Sequence, residues 1–253
     1  MDEALSNIPV TLLDPVLAQV AEDCETLTPD VRDCCFALKV SGLMSRSFRD
    51  EETRAETFRM LLSDEFGITL SIGKWGNAET DGSFLHGSGL VVNLEVKNEI
   101  GTGGGAIHVQ NASSVAQYAA QNSMKHIRDL CVCPSLLIEL AGPNMSLSGF
   151  VLSECAICDQ LTPMMSLLWM PHNPLMLMAA RSFGALRKGI ASLKIFYQNL
   201  LISPPSRQLQ YPYHNTFKIN EEVFSFQYTA AFNSRCFTAV QEGSGQLLVI
   251  KVR

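Results

Sequence analysis

Residues 80–97 constrain the fold more than any other stretch, because they offer one turn between two extended segments. Gly87-Ser88-Gly89 is a turn signal, with residues 80–86 on one side and the Val- and Leu-rich run GLVVNLEVK (Gly89–Lys97) on the other; both flanks read as strands. A hairpin folding about the Gly87-Ser88-Gly89 signal sets Asp81 opposite Glu95, since the two lie equally far from Ser88. Side chains alternate along a strand, so Glu95 and Lys97 point to the same face. Two carboxylates and one ammonium then meet at one end of two paired strands. Carboxylates held together are a good seat for Mg²⁺, which prefers oxygen ligands and keeps several waters. A lysine beside the ion can orient or deprotonate water and stabilise charge developing on a phosphate. Together these residue types point to metal-assisted phosphodiester hydrolysis. An E-x-K triplet occurs by chance in most proteins of this size, so the weight falls on the elements around it.

Those elements follow from hydrophobic period and punctuation. Residues 48–66 (FRDEETRAETFRMLLSDEF) read as a helix stopped by Gly67, and 68–74 as a strand. After the hairpin come the glycine-rich loop 101–105 and a helical stretch from Val109 to about Leu130. Residues 135–141 and 145–153 flank Gly142-Pro143-Asn144 as two further strands. A long helix occupies 179–201, ended by Ser203-Pro204-Pro205. Before all of these, short amphipathic stretches lie near 16–21 and 31–41. The order to residue 153 is helix, three strands, helix, two strands.

With 253 residues, 47% of them hydrophobic, the chain can bury a sizeable core. A formal charge of −6 counts against a dedicated nucleic-acid coat, though not against a locally basic groove. Arg46, Arg49, Arg54 and Arg59 cluster before the candidate site and Arg181, Arg187, Lys188 and Lys194 after it; solvated helix faces are the commoner explanation. The N-terminus MDEALSNIPVTLL lacks the basic and apolar regions of a secretory signal, so a cytoplasmic or nuclear protein is expected. The most apolar segment, 161–180, is broken by Pro163, Pro171, His172, Asn173 and Pro174 and is no membrane span. The eight cysteines read as reduced thiols. Cys131, Cys133, Cys155 and Cys158 lack the pairing of a zinc knuckle and read as small hydrophobes.

The acid on the second strand and E-x-K on the third, within that order of elements, resemble the restriction-endonuclease-like PD-(D/E)xK superfamily over about residues 48–153. The resemblance implies an α/β (α+β) fold: a restriction-endonuclease-like core with a central mixed sheet flanked by helices, plus a short C-terminal β segment. It implies Asp81 and Glu95 as ligands of Mg²⁺ (or Mn²⁺), with the Val96 carbonyl a further ligand, and Lys97 facing water and phosphate. Gln110, at the start of the following helix, resembles the glutamine that many of these nucleases place there; Gln117 and Tyr118 are a weaker echo. An acid on the first helix often completes the set, and Glu56, Asp64 and Glu65 are the candidates. Asp81 lacks the preceding proline of the motif. LEVKNE (94–99), the glycine-rich loop and LAGP (140–143) are similar, more narrowly, to fungal proteins of the crinkler-type effector group, in which such a domain is joined to an NTPase or kinase-like domain. The implied activity is Mg²⁺-dependent hydrolysis of DNA or RNA. The alternatives are an inactive nuclease-like module that binds nucleic acid or protein, or a pseudokinase-associated fragment. Nucleic acid, chiefly DNA, is the implied partner, and a homodimer is left open.

Gly101-Thr102-Gly103-Gly104-Gly105 has glycines that could cradle a phosphate but lacks the G-K-[S/T] ending of a P-loop, and it reads more simply as a link. The tail reads as three strands: FSFQYTAAF, SRCFTAVQ and LLVIKV. Ile250-Lys251 resembles the lysine-bearing strand of protein kinases, but no H-R-D or D-F-G follows. A kinase-like domain further along a longer protein is the corresponding expectation. The expected organisation is a helical segment over 1–47, a nuclease-like domain over 48–202, and a linker with a partial kinase-like β segment over 203–253.

Overall fold

A computed structural model describes residues 8–101, 106–169, 173–205 and 208–252. Seven α-helices are described: α1 Val10–Leu13, α2 Pro15–Thr26, α3 Val31–Met44, α4 Glu51–Phe66, α5 Ile107–Ala119, α6 Lys125–Arg128 and α7 Pro174–Asn199. Their starts are written locally. Asp14 accepts from the amides of Val16 and Leu17 ahead of α2, and Asp30 forms a reciprocal capping box with Asp33 on α3. Asp50 accepts from Thr53 N at 2.8 Å, with Glu51 and Glu52 following in the first turn of α4. Acids there complement the positive end of the helix dipole. Gly67, at φ 61°, ends α4 in the left-handed conformation.

The strands are β1 Lys74–Trp75, β2 Ala78–Glu79, β3 Gly82–His86, β4 Gly89–Lys97, β5 Ser135–Ala141, β6 Asn144–Leu152, β7 Ala156–Gln160, β8 Met165–Ser166, β9 Thr216–Ile219, β10 Glu222–Asn233, β11 Cys236–Gln241 and β12 Leu247–Lys251. The central sheet runs β3-β4-β5-β6-β7, with β8 also on β6. It is mixed: β4 and β5 are parallel and their neighbours antiparallel. The parallel pair needs a crossover, and α5 supplies it. Leu136, paired with Val92, faces α7, where it crowds Gly189, and Val92, Leu94 and Val96 share one face of β4 by alternation. Asn93, Glu95, Lys97 and Glu139 lie on the other face, where Asn111 of α5 bonds both Asn93 and Glu139. β4 is buried along its whole length, as a strand covered on both faces must be. The α+β class expected for the chain is therefore met, with a central mixed sheet between helices.

Several local expectations are corrected. The strand expected at 68–74 shrinks to one bridge, Ser71 with Ser83, followed by the small β1–β2 hairpin. Gly73 cannot carry a side chain there, because the Trp75 indole lies 2.6 Å from where its Cβ would be. The helix expected to reach Leu130 stops at Ala119, and a 3-10 turn (Asn122–Met124) and α6 follow. Arg128 fastens that break by donating to Ala119 O and Gln121 O. β7, β8 and β9 were not expected. The helices before residue 48 share one core with the sheet: Val10 N donates to Asp159 Oδ2 at 2.7 Å, and Arg187 of α7 holds Asp33 of α3 at 2.7 Å. Lys188 likewise pairs with Asp23, so two members of the later basic cluster serve helix packing.

The tail forms a four-stranded antiparallel sheet ordered β12-β11-β10-β9, with Tyr211, Phe226, Tyr228 and Phe237 packed together beneath it. Tyr213 N donates to Leu12 O at 2.9 Å, tying this sheet's approach to the N-terminal helices. Lys251 is exposed on the edge strand β12. Among the described residues no helix is long and apolar enough to cross a membrane.

Candidate active site

The β3–β4 hairpin carries the site. His86 pairs with Gly89 around the two-residue turn Gly87-Ser88, where Gly87 takes φ 60°. A bulge then intervenes: Phe84 pairs with Val92 and Leu85 with Leu90, leaving Val91 as the additional residue. Beyond it Gly82 pairs with Leu94, which brings Asp81 level with Glu95. The Asp81 carboxylate is not simply opposed to that of Glu95, however. Its Oδ2 accepts the backbone N–H of Val96 at 2.7 Å, while Arg59 Nη1 donates to the Asp81 carbonyl at 2.6 Å. Val96 thus enters the site through its amide.

Glu95 and Lys97, two apart on one face, meet as an ion pair at 3.2 Å between Oε1 and Nζ. A third acid completes the group: Glu51 Oε1, from the first turn of α4, lies 3.2 Å from the same Nζ. Glu51 was not among the helix acids named from the sequence. Of those, Glu56 lines the cleft, Asp64 is exposed and Glu65 pairs with Arg32. The paired acids in the first turn of α4 were the available signal for Glu51. The helix is held by Arg54, buried and donating to Met44 O and Gly142 O, each at 2.9 Å, and to Asn98 Oδ1 at 3.2 Å.

A cleft of about 500 Å³ opens over these groups, lined by Asp81, Glu95, Lys97, Glu51, Arg59 and Gln110 among others. Gln110 stands half-buried in the first turn of α5, as expected from the sequence. Tyr118 and Gln117 serve elsewhere: Tyr118 donates to Ser88 O at 2.8 Å, and Gln117 accepts from Asn77 N at 3.3 Å. Residues 102–105 of the glycine-rich loop lie outside the described residues.

The electrostatics follow from burial. Glu95 is 2% exposed, and burial, reinforced by the negative charge of Asp81, pushes its carboxyl up to about 7 against the pull of Lys97. Asp81 is also raised by burial, with the Val96 amide and Lys97 pulling the other way. Burial works against the charge on Lys97, but Glu95 and Glu51 outweigh it and hold its pKa above the ordinary lysine value. Oε2 of Glu95 is buried and has no hydrogen-bond partner. Leaving such an oxygen unpaired costs about 1–3 kcal/mol, more when it is charged.

Beneath the cleft runs a buried polar chain that was not singled out from the sequence. Ser83 Oγ donates to Asn93 Oδ1 at 2.6 Å, and Asn93 Nδ2 to Asn111 Oδ1 at 2.7 Å. Asn111 Nδ2 donates to Glu139 Oε1 at 3.2 Å, and Ser146 and Ser148 donate to Glu139 Oε2 at 3.0 and 3.1 Å. Burial pushes Glu139 up to about 7 despite these three donors. The chain ties α5 to β3, β4, β5 and β6, and so holds Gln110 near the cleft.

Among the described residues, no three His, Cys, Asp or Glu side chains form a ready-made metal cage. The cysteines likewise make no metal set; Cys131 and Cys133 are buried. Mg²⁺ does not demand an all-protein cage, since one or two carboxylates plus waters suffice. The unpaired Glu95 oxygen beside Asp81 fits that mode. Compared with known proteins, the chain gives no significant match to any family description, to any curated protein or to any solved structure.

Proposed function

We propose that the chain is a divalent-cation-dependent phosphodiesterase acting on DNA or RNA, with the arrangement of a restriction-endonuclease-like nuclease. The observation that carries this reading is the buried, unpartnered Oε2 of Glu95, set in one cleft with Asp81, Lys97 and Glu51. Asp81 and Glu95 would hold Mg²⁺ or Mn²⁺, with Glu51, which shares Lys97 Nζ with Glu95, as a third acid at the site. The ion, when bound, would supply Lewis-acid polarisation of a phosphate oxygen. Lys97 offers an ammonium to the phosphate and to water approaching it, fixed by its two carboxylate neighbours. Gln110 presents an amide from α5, and Arg59 adds positive charge at the cleft wall.

One observation favours a second reading, a non-catalytic nuclease-like module. The cleft lining has six acids, Glu51, Glu52, Glu56, Glu79, Asp81 and Glu95, against Arg59 and Lys97. A polyanion meets net repulsion there unless cations enter with it. Cleavage assays on plasmid DNA, single-stranded DNA and RNA with Mg²⁺ or Mn²⁺ separate the two. The first reading expects cutting that is lost in Asp81→Asn and Lys97→Met. Cutting that survives both changes removes the site assignment, and an intact fold that binds no divalent ion supports the second reading.

A further inference from the structure

The cation that bridges Glu95 and Glu51 is the chain's own, one ammonium between two carboxylates. Nζ of Lys97 lies 3.2 Å from Glu95 Oε1 and 3.2 Å from Glu51 Oε1, and Lys97 is only 8% exposed. Charges so placed act on one another with much less screening than in bulk water. A cation drawn to Oε2 of Glu95 shares that carboxylate with the ammonium on Oε1, so the two like charges compete for one group.

We propose that Lys97 determines which cations the cleft accepts: its ammonium holds the monovalent position between Glu95 and Glu51, leaving entry to a divalent ion. A potassium or sodium ion gains no more from these carboxylates than the ammonium does. The ammonium is also tethered beside them, so a free monovalent ion must displace it to enter. A divalent ion gains twice the attraction, and Asp81, whose carboxylate accepts the Val96 amide, adds a third negative group. This inference rests on the divalent-cation reading of the site. It goes beyond that reading by making Lys97 a competitor for the ion as well as a partner of the phosphate.

Mn²⁺ titration calorimetry on the intact chain tests it, at constant ionic strength supplied by either KCl or tetramethylammonium chloride. Lys97→Met is expected to bind Mn²⁺ at least about tenfold tighter than the wild type, the low end of what one neighbouring charge does to a carboxylate's proton affinity. Exchanging tetramethylammonium for K⁺ is expected to weaken Mn²⁺ binding in the variant and leave the wild type unchanged. Lys97→Gln, which keeps a polar head in the cleft, is expected to behave alike and serves if the Met variant does not fold. Equal or weaker Mn²⁺ binding in the folded variant, or the same K⁺ response in both proteins, overturns the inference while the divalent site stands. Absence of Mn²⁺ binding in wild type and variant alike overturns the divalent site itself.

Discussion

Asp81 accepts the backbone N–H of Val96 at 2.7 Å, so the acid that precedes β3 is tied to the main chain between Glu95 and Lys97. The bond makes the three charged side chains one unit, and it separates what Asp81 does for folding from what its charge does. Asparagine can accept the same bond, whereas alanine cannot. Asp81→Asn is expected to match wild-type stability in urea unfolding, while Asp81→Ala loses about 1 kcal/mol, the net worth of one such bond. Both are expected to lower divalent-dependent cleavage about 100-fold or more, as loss of a preorganised electrostatic group does.

Glu139 makes stability fall with rising pH. Its folded-state carboxyl titrates at about 7, above the usual glutamate value, because burial disfavours the charge. Between about pH 4.5 and 7 the unfolded chain gives up this proton while the folded chain keeps it. The folded state then binds more protons, and stability declines by at most about 1.4 kcal/mol per pH unit for this group. Glu95, also raised to about 7, adds a slope of the same sign. Thermal melts of Glu139→Gln are expected to match wild type near pH 5 and to lie higher near pH 7.5. A parallel decline in both proteins would contradict the assignment.

Two glycines mark close approaches of α7. A Cβ at Gly89 would sit 2.1 Å from the Tyr197 ring, and one at Gly184 would sit 2.7 Å from Leu27 and 2.8 Å from an Asp33 oxygen. Overpacking of this kind costs about 1–3 kcal/mol. Gly89→Ala and Gly184→Ala are each expected to lower the free energy of urea unfolding by that amount. The larger effect is expected at Gly89, where the ring is held by its hydroxyl's bond to Pro134 O at 2.9 Å.

Arg54 is 5% exposed and makes its bonds to carbonyls and an amide oxygen. Arg54→Met would leave Met44 O and Gly142 O without this donor and is expected to cost about 3 kcal/mol in urea unfolding. Arg54→Lys is expected to recover part of the loss, since one ammonium cannot span the fork of a guanidinium.

Residues 87–97 declare their own structure: a glycine turn, then a run of β-branched and apolar residues too regular for a loop. The offset that matters, Asp81 level with Glu95, depends on more than the turn. The closing pair His86–Gly89 alone would have set Asp81 against Leu94, and the bulge at Val91 moves it one place on. Residues 68–74 alternate well enough for a strand, yet they keep one bridge to β3, Ser71 with Ser83, before Lys74 turns to pair with Glu79. Glu139 lies inside SLLIELA, legible as a strand but silent about the serines and the asparagine that satisfy its carboxylate.

Strand periodicity, helix caps and the E-x-K face are settled by residues within a few positions of one another, and for that reason they can be read along the chain. The approach of Glu51 to Lys97, across 46 positions, belongs to packing. It depends on α4 being pinned by Arg54 and on α5 crossing over to bring β5 beside β4. Burial energy acts through whichever surfaces meet, without regard to distance along the chain, so a third acid arrives in the cleft from a helix whose sequence names several equal candidates.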